Sequence, residues 1–446
     1  MKKSSSSVFR WLCILLLTTL SAYGSETIVV SVDEAVDRAL SHNLGLQSQE
    51  FSTRIEERAY RNRFNVLIPA ISSNLTLVRP NSEPETPPLT PELPRWNLSA
   101  GVDASLTLSL QILDGIEASR LSFENATLSF ESAVKEVEIS VRTAFYQLLV
   151  QQEQLSVTQD RFTASEARIA DLQGQYESGL VDELSLLTQQ VSVENQRPAI
   201  RRQQDAIQSG LRRFADLLGF DPGISIVLDG DIDATFLNVA DANRLLDLVT
   251  QSTAVRQARQ QVQQLEVARE ATVSSLYPSL TFRAGVNPQL QGDPFDAEDV
   301  FDADNWSDSG AFSITLGWPI DPFLRWSTTR TRLDDQADQI QQARLSVETA
   351  ERNASVEILA IIEQLETTLT SIESLQSNVE LAERALDLAE EGYSAGLQTI
   401  TTVEDTEFDL RNARLELLQE QSRYIENILS LENLLGMSLE ELENAE

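Results

Sequence analysis

Apolar residues recur every seven positions through two long stretches of the chain. The first stretch carries Val141, Leu148, Leu155, Phe162, Ile169 and Tyr176. The second carries Ile358, Leu365, Ile372, Val379, Leu386 and Tyr393, each 217 residues later. A further pair of stripes keeps the same offset: Leu186, Val193, Ile200, Ile207 and Phe214 map onto Val403, Leu410, Leu417, Tyr424 and Leu431. A sustained seven-residue repeat predicts helices packed as coiled coils. A chance amphipathic helix does not explain stripes held in register across an internal duplication. Between the paired stripes lie Tyr176-Glu-Ser-Gly179-Leu180-Val181 and Tyr393-Ser-Ala-Gly396-Leu397-Gln398. Their glycines suit left-handed turns between two helices. Both duplicated segments end on Leu-Leu-Gly, at Gly219 and Gly436.

Each half opens with a shorter amphipathic helix. The first starts at Ser31-Val-Asp-Glu34, a capping-box sequence, and runs to about Val66. Its counterpart runs from about Asn243 to Ser275, and Pro69 and Pro278 close the two patterns. After each proline the period switches to two. Ile71, Ser73, Leu75 and Leu77 form the first alternating run, and Val102, Ala104, Leu106, Leu108, Leu110 and Ile112 the second. Leu280, Phe282, Ala284 and Val286 form the third, and Phe312, Ile314, Leu316, Trp318 and Ile320 the fourth. Small polar residues fill the intervening positions. Strands of about 9–11 residues with one apolar and one polar face match tilted transmembrane β-strands, although a solvated sandwich also fits. Trp96, Trp318 and Trp326 sit near strand ends, as interfacial aromatics do. Four strands cannot close a barrel, and lipid does not tolerate open edges, so a membrane reading requires several chains.

Composition narrows the function. The chain of 446 residues has 34 Lys+Arg against 69 Asp+Glu, a net charge of −35. Such acidity argues against nucleic-acid binding. One His and one Cys leave little for a catalytic triad or a Cys/His zinc site. His42 reads as an ordinary helix residue, and no phosphate-binding loop is present. Residues 79–96 are proline-rich, whereas residues 291–309 hold Asp293, Asp296, Glu298, Asp299, Asp302, Asp304 and Asp308. That acidic stretch lacks the spacing and glycine of an EF-hand loop and reads as a solvated surface loop, with a divalent-cation site as the alternative. Residues 1–24 read as a secretory signal, with Lys2, Lys3 and Arg10 before a short apolar run that contains Cys13. The domain plan is then a signal peptide (1–24), a first repeat (25–219), a linker (220–240), a second repeat (241–436) and an acidic tail (437–446).

The duplicated helix–strand–strand–helix–helix order, the two Gly-Leu turns and the Leu-Leu-Gly ends resemble the TolC-like outer membrane efflux protein family. The likeness covers nearly all of the chain after residue 24. It implies an α+β membrane protein whose long coiled-coil helices form an α-barrel. Four β-strands per chain would join a shared trimeric twelve-stranded outer-membrane β-barrel. It also implies a homotrimer set in outer-membrane lipid and extending into the periplasm. A periplasmic adaptor (membrane fusion) protein and an inner-membrane pump would be its partners, with no cofactor.

In that family the hairpin tips contact the adaptor, which points here to Tyr176, Gly179, Leu180, Tyr393, Gly396 and Leu397. Family members narrow near the tips at aspartates six and nine residues past the second tip glycine. The matching positions are Thr402 and Asp405, with Glu404 alongside, so the acidic pair is half present. Three copies of Asp405 near an axis would form an anionic constriction. The family's closed state is also held by polar links from the tyrosine before that glycine, here Tyr393. The facing positions are Leu184 and Ser185, of which only Ser185 can hydrogen-bond. The resemblance thus implies a passive exit duct without enzymatic activity, serving tripartite efflux or type I secretion. A secreted or surface coiled-coil structural protein is the alternative that explains the heptads but not the strands.

Overall fold

The computed structural model describes residues 27–79, 81, 96–221, 223–230, 232, 242–291 and 293–437. The expected signal peptide, most of the proline-rich loop and most of the acidic tail lie outside the described residues. Two compact units form, each built from separated segments. One takes residues 1–49, 131–253 and 354–446, and the other takes 50–130 and 254–353. Each unit therefore draws on both repeats.

In the first unit, strand β1 (Thr27–Val30) leads into helix α1 (Val32–His42). The capping box forms as expected: Glu34 N donates to Ser31 Oγ, and Ser31 N donates to Glu34. The single helix expected as far as Val66 is broken at Asn43, with α2 spanning Leu44–Arg61. Asn43 is extended, and its side chain explains the break. Its Oδ1 accepts from Leu46 N at 3.0 Å, while its Nδ2 donates to Leu217 O at 3.0 Å. The second repeat breaks the same way, with α5 (Ala242–Asp247) and a short 3-10 turn separated from α6 (Thr253–Ser274) at buried Ser252. Asn43 and Ser252 lie 209 residues apart, as do Pro69 and Pro278.

The heptad stripes become the cores. Helix α3 spans Gln111–Glu177 and α4 spans Glu183–Leu217. After the short helix α7 (Ala297–Phe301), helix α8 (Thr328–Ser394) and α9 (Ile400–Leu435) repeat them. α3 and α8 each contain 67 residues, about 100 Å of helix. Val141, Leu148 and Phe214 are buried in one cluster with α1, β1 and β4 (Ser225–Leu228), the parallel partner of β1. Ile358, Leu365, Ile372, Tyr424 and Leu431 are buried in a second cluster. Burying one such side chain contributes about 1.5–3 kcal/mol, so the stripes rather than helix propensity hold these hairpins.

The second unit carries the sheet. Its main strands are β2 (Ala70–Val78), β3 (Asn97–Leu108), β5 (Ser279–Val286) and β8 (Ala311–Gly317), antiparallel in that order. Short β6 (Pro288–Leu290) and β7 (Trp306–Asp308) extend the second hairpin, giving six strands in all. Two strands end earlier than their alternation suggests. Gln111 and Ile112 already belong to α3, and Trp318–Ile320 lie beyond β8. The register confirms the two faces. Leu108, Leu280 and Leu316 align in one row, and Leu106, Phe282 and Ile314 in the next. Between them runs Thr107, Thr281 and Thr315, with the Thr107 and Thr281 hydroxyls 3.1 Å apart.

Candidate functional site

Both hairpin turns close by the same hydrogen bonds. In the first, Gly179 N donates to Tyr176 O at 2.9 Å and Leu180 N to Gln175 O at 2.9 Å. In the second, Gly396 N donates to Tyr393 O at 2.9 Å and Leu397 N to Gly392 O at 2.8 Å. Gly179 and Gly396 have φ of +75° and +73°, the left-handed conformation that this helix ending requires. The chain then restarts a helix at once. Asp182 caps α4 by accepting from Ser185 N at 2.7 Å, and Thr399 caps α9 by accepting from Thr402 N at 3.3 Å. The Ser185 amide holds the Asp182 carboxyl below the ordinary aspartate range. Leu180 and Leu397 are left 75% and 83% exposed. Each tip thus presents an exposed leucine on a turn of fixed shape.

Thr402 is occupied by capping, since its hydroxyl lies 3.0 Å from that of Thr399. Glu404 is exposed beside it. Asp405 is bonded to Arg168 of α3. One and a half turns further along α9, Arg411 reaches Asp160 of α3 and also bonds Glu407 at 2.8 Å. Arg161 stacks over Phe408, 4.8 Å from its centroid, between the two ion pairs. The two helices therefore exchange charges reciprocally, each supplying one arginine and one aspartate. The structure does not join Tyr393 to Ser185: among the described residues the Tyr393 hydroxyl has no hydrogen-bond partner.

Sequence reasoning missed Arg168, Asp160 and Arg411. Their signal was present, because they flank the heptad stripe at Ile169, Phe162 and Leu410, where coiled coils place interhelical charge pairs. The positions 217 residues away from Arg168, Asp160, Asp405 and Arg411 are Ala385, Ser377, Thr188 and Glu194. The clamp thus belongs to only one of the two seams that the duplication relates.

The sheet supplies the rest of the site. Phe312 and Leu316 of its apolar face are 67% and 69% exposed. Trp318 meets Phe323 edge-on at 6.3 Å at one end, and Trp96 meets Phe295 at 5.7 Å at the other. The acidic stretch is ordered by its own aspartates. Asp293, Asp296 and Asp302 accept amides two residues on, and Asp308 accepts from Asn287 N and Gly310 N. Trp306 Nε1 donates to Val300 O at 2.9 Å. Among the described residues no three acidic, His or Cys groups gather as metal ligands. Nor is any described helix long and apolar enough to cross a membrane.

Residues 246–437, most of the second repeat, match the family model for outer membrane efflux proteins. That stretch, under half of the chain, is similar to the outer membrane efflux proteins. The outer membrane protein TolC of Escherichia coli (strain K12) is 31% identical over 90 residues, 20% of this chain and 18% of that protein. The sequence match therefore spans under a fifth of TolC's length. Solved structures carry the fold much further. The outer membrane protein VceC of Vibrio cholerae superposes with a TM-score of 0.65 at 18% identity, covering 91% of this chain and 96% of its own. The MtrE outer membrane channel of Neisseria gonorrhoeae, in its open state, gives 0.69 at 17% identity over 92% and 89%. CusC gives 0.69 at 17% over 91% and 92%. The fold of the chain is thus that of outer membrane channels, mostly helical with one six-stranded sheet.

Proposed function

We propose that the protein is the exit duct of a tripartite efflux or type I secretion system, a passive conduit across the outer membrane and periplasm. One observation carries this reading. Among the described residues the sheet has one mostly apolar face with many exposed side chains, a second face rich in Ser and Thr, and edges at β2 and β8 that pair with no further strand. Such a sheet is stable in lipid only when copies join edge to edge. Three copies would give a twelve-stranded barrel with a polar lumen, and the α3–α4 and α8–α9 hairpins would continue it as a helical tunnel. The tips at Tyr176, Gly179, Leu180, Tyr393, Gly396 and Leu397 would seat a periplasmic adaptor, with Leu180 and Leu397 as knobs. Thr402, Glu404 and Asp405, near the second tip, would line the narrow end, with the charge of Asp405 offset by Arg168. Tyr393 and Ser185 would lock it weakly. Energy would come from an inner-membrane pump. A secreted coiled-coil protein would have no use for the exposed apolar sheet face.

The test is purification of the full chain from membranes, followed by electrophoresis without heating and planar-bilayer recording. A detergent-dependent trimer that conducts supports the duct. A monomer that stays in solution without detergent overturns it.

A further inference from the structure

Two segments invert the acidity of the chain. Residues 58–68 contain Arg58, Arg61 and Arg63, and residues 322–333 contain Arg325, Arg330 and Arg332. Neither has an Asp or Glu, although acids outnumber bases 69 to 34 overall. The first segment runs directly into β2 and the second follows β8. The pairing of Ala70 with Ser105, and of Ser279 with Gly317, puts the start of β2 and the end of β8 at the same end of the sheet. Both arginine segments therefore border one rim, at its two edge strands. The opposite rim carries the acidic hairpin between β6 and β7.

The arginines are interleaved with exposed apolar side chains just outside the two edge strands: Phe64, Ile68, Phe323 and Trp326, the last 79% exposed. Arg63 lies flat over Tyr60 and Phe64, at 4.0 and 4.6 Å. Arg61 bonds Glu57. The ion pairs of the described residues engage none of Arg58, Arg325, Arg330 and Arg332. Arg58 donates to Arg54 O and Arg63 to Tyr60 O, which leaves the heads of Arg325, Arg330 and Arg332 open among the described residues. A band of aromatic bodies and guanidinium heads is the composition of a membrane interface, where arginine forks take up phosphate oxygens.

We infer that this rim is a binding surface for anionic phospholipid headgroups, which ring the barrel on the side where its helices begin. The inference rests on the channel reading and adds to it which lipid the channel holds. Adjacency to the apolar sheet face favours a lipid over a dissolved anion, since only a lipid occupies both at once.

The experiment reconstitutes the full chain in phosphatidylcholine vesicles and measures quenching of its tryptophans, Trp318 and Trp326 among them, by brominated lipids. The expected result is a binding constant for brominated phosphatidylglycerol about fivefold or more above that for brominated phosphatidylcholine. That ratio should fall towards one with added salt, and in the variant Arg58→Gln/Arg330→Gln/Arg332→Gln. Inorganic phosphate should leave it unchanged at the same ionic strength. A ratio of one in the unmodified protein, an unchanged ratio in the variant, or loss of the ratio to inorganic phosphate would each overturn the inference. So would a variant that falls into monomers, because the arginines would then be holding a second copy. Failure of the channel reading looks different: the protein would not insert, and neither brominated lipid would quench it.

Discussion

Arg168 of α3 is bonded to Asp405 of α9, so this acid near the second tip carries its counter-ion within its own chain. Both side chains are 41% or more exposed, which limits the pair to about 0–1 kcal/mol of stability. The expected consequence is electrical. Asp405→Asn alters neither the unfolding midpoint nor the cation selectivity appreciably. Arg168→Gln bares the carboxylate and raises cation selectivity, and adding Asp405→Asn cancels the rise. Reversal potentials in asymmetric salt read all three. No change in the Arg168→Gln channel would place Asp405 away from the permeation path.

Two left-handed glycines separate backbone strain from crowding. A Cβ on Gly179 meets nothing within 4 Å, whereas one on Gly219 would lie 2.6 Å from His42 O. Gly179→Ala is expected to cost about 1–2 kcal/mol, the price of the left-handed conformation alone. Gly219→Ala should cost at least about 2 kcal/mol more, since it also forces α1 away from the end of α4. Denaturant unfolding of the two variants provides the comparison, and equal costs would contradict it.

Leu148 and Leu365 occupy matching places in the two repeats and are both buried. Truncating either to Ala should cost about 2–5 kcal/mol, by lost transfer energy and a residual cavity. Thermal or denaturant unfolding in detergent measures it. A cost below about 1 kcal/mol at Leu365 would mean that the stripe is not the packing seam.

The cap at Asp182 sets a pH limit on the first tip. Its carboxyl is lowered mainly by the bond from Ser185 N. A group lowered on folding stabilises the folded form above its unfolded value, about 3.9 for aspartate. That stabilisation is lost as pH falls through the lowered value. Protection of the Ser185 amide against hydrogen exchange should therefore drop on strong acidification. Asp182→Asn should retain the cap and remove the pH dependence. A protection factor flat with pH in the parent protein would show that the cap does not hold the turn.

Most of the fold was legible because it is periodic. Val141 to Tyr176 and its copy spell out helices by burial alone, and the alternation at Leu280 to Val286 fixes a strand and its faces. What was hidden is local or distant. The break at Asn43 needs no proline, only an amide side chain that caps one helix and holds Leu217 of another. Leu110 and Ile112 continue the two-residue alternation past the end of β3, into a turn and the first residues of α3, because so short a run of helix cannot be told from strand by period. The tips were legible from Gly179 and Gly396. The Arg168–Asp405 bond joins residues 237 apart and depends on which helix lies beside α9. Their flanking places on the stripes marked them as pairing positions without naming the partner.

α3 and α8 have the same count of residues although the strand regions before them differ in length, by the change of offset from 209 to 217. They are struts cut to one length. A lone extra heptad in α3 would carry its turn about 10 Å past its twin, and any other insertion would rotate the apolar stripe out of its seam. Length in such a pair can change only by whole heptads copied into both halves. Relatives with longer or shorter helices should therefore differ from this chain by the same multiple of seven on either side of the duplication.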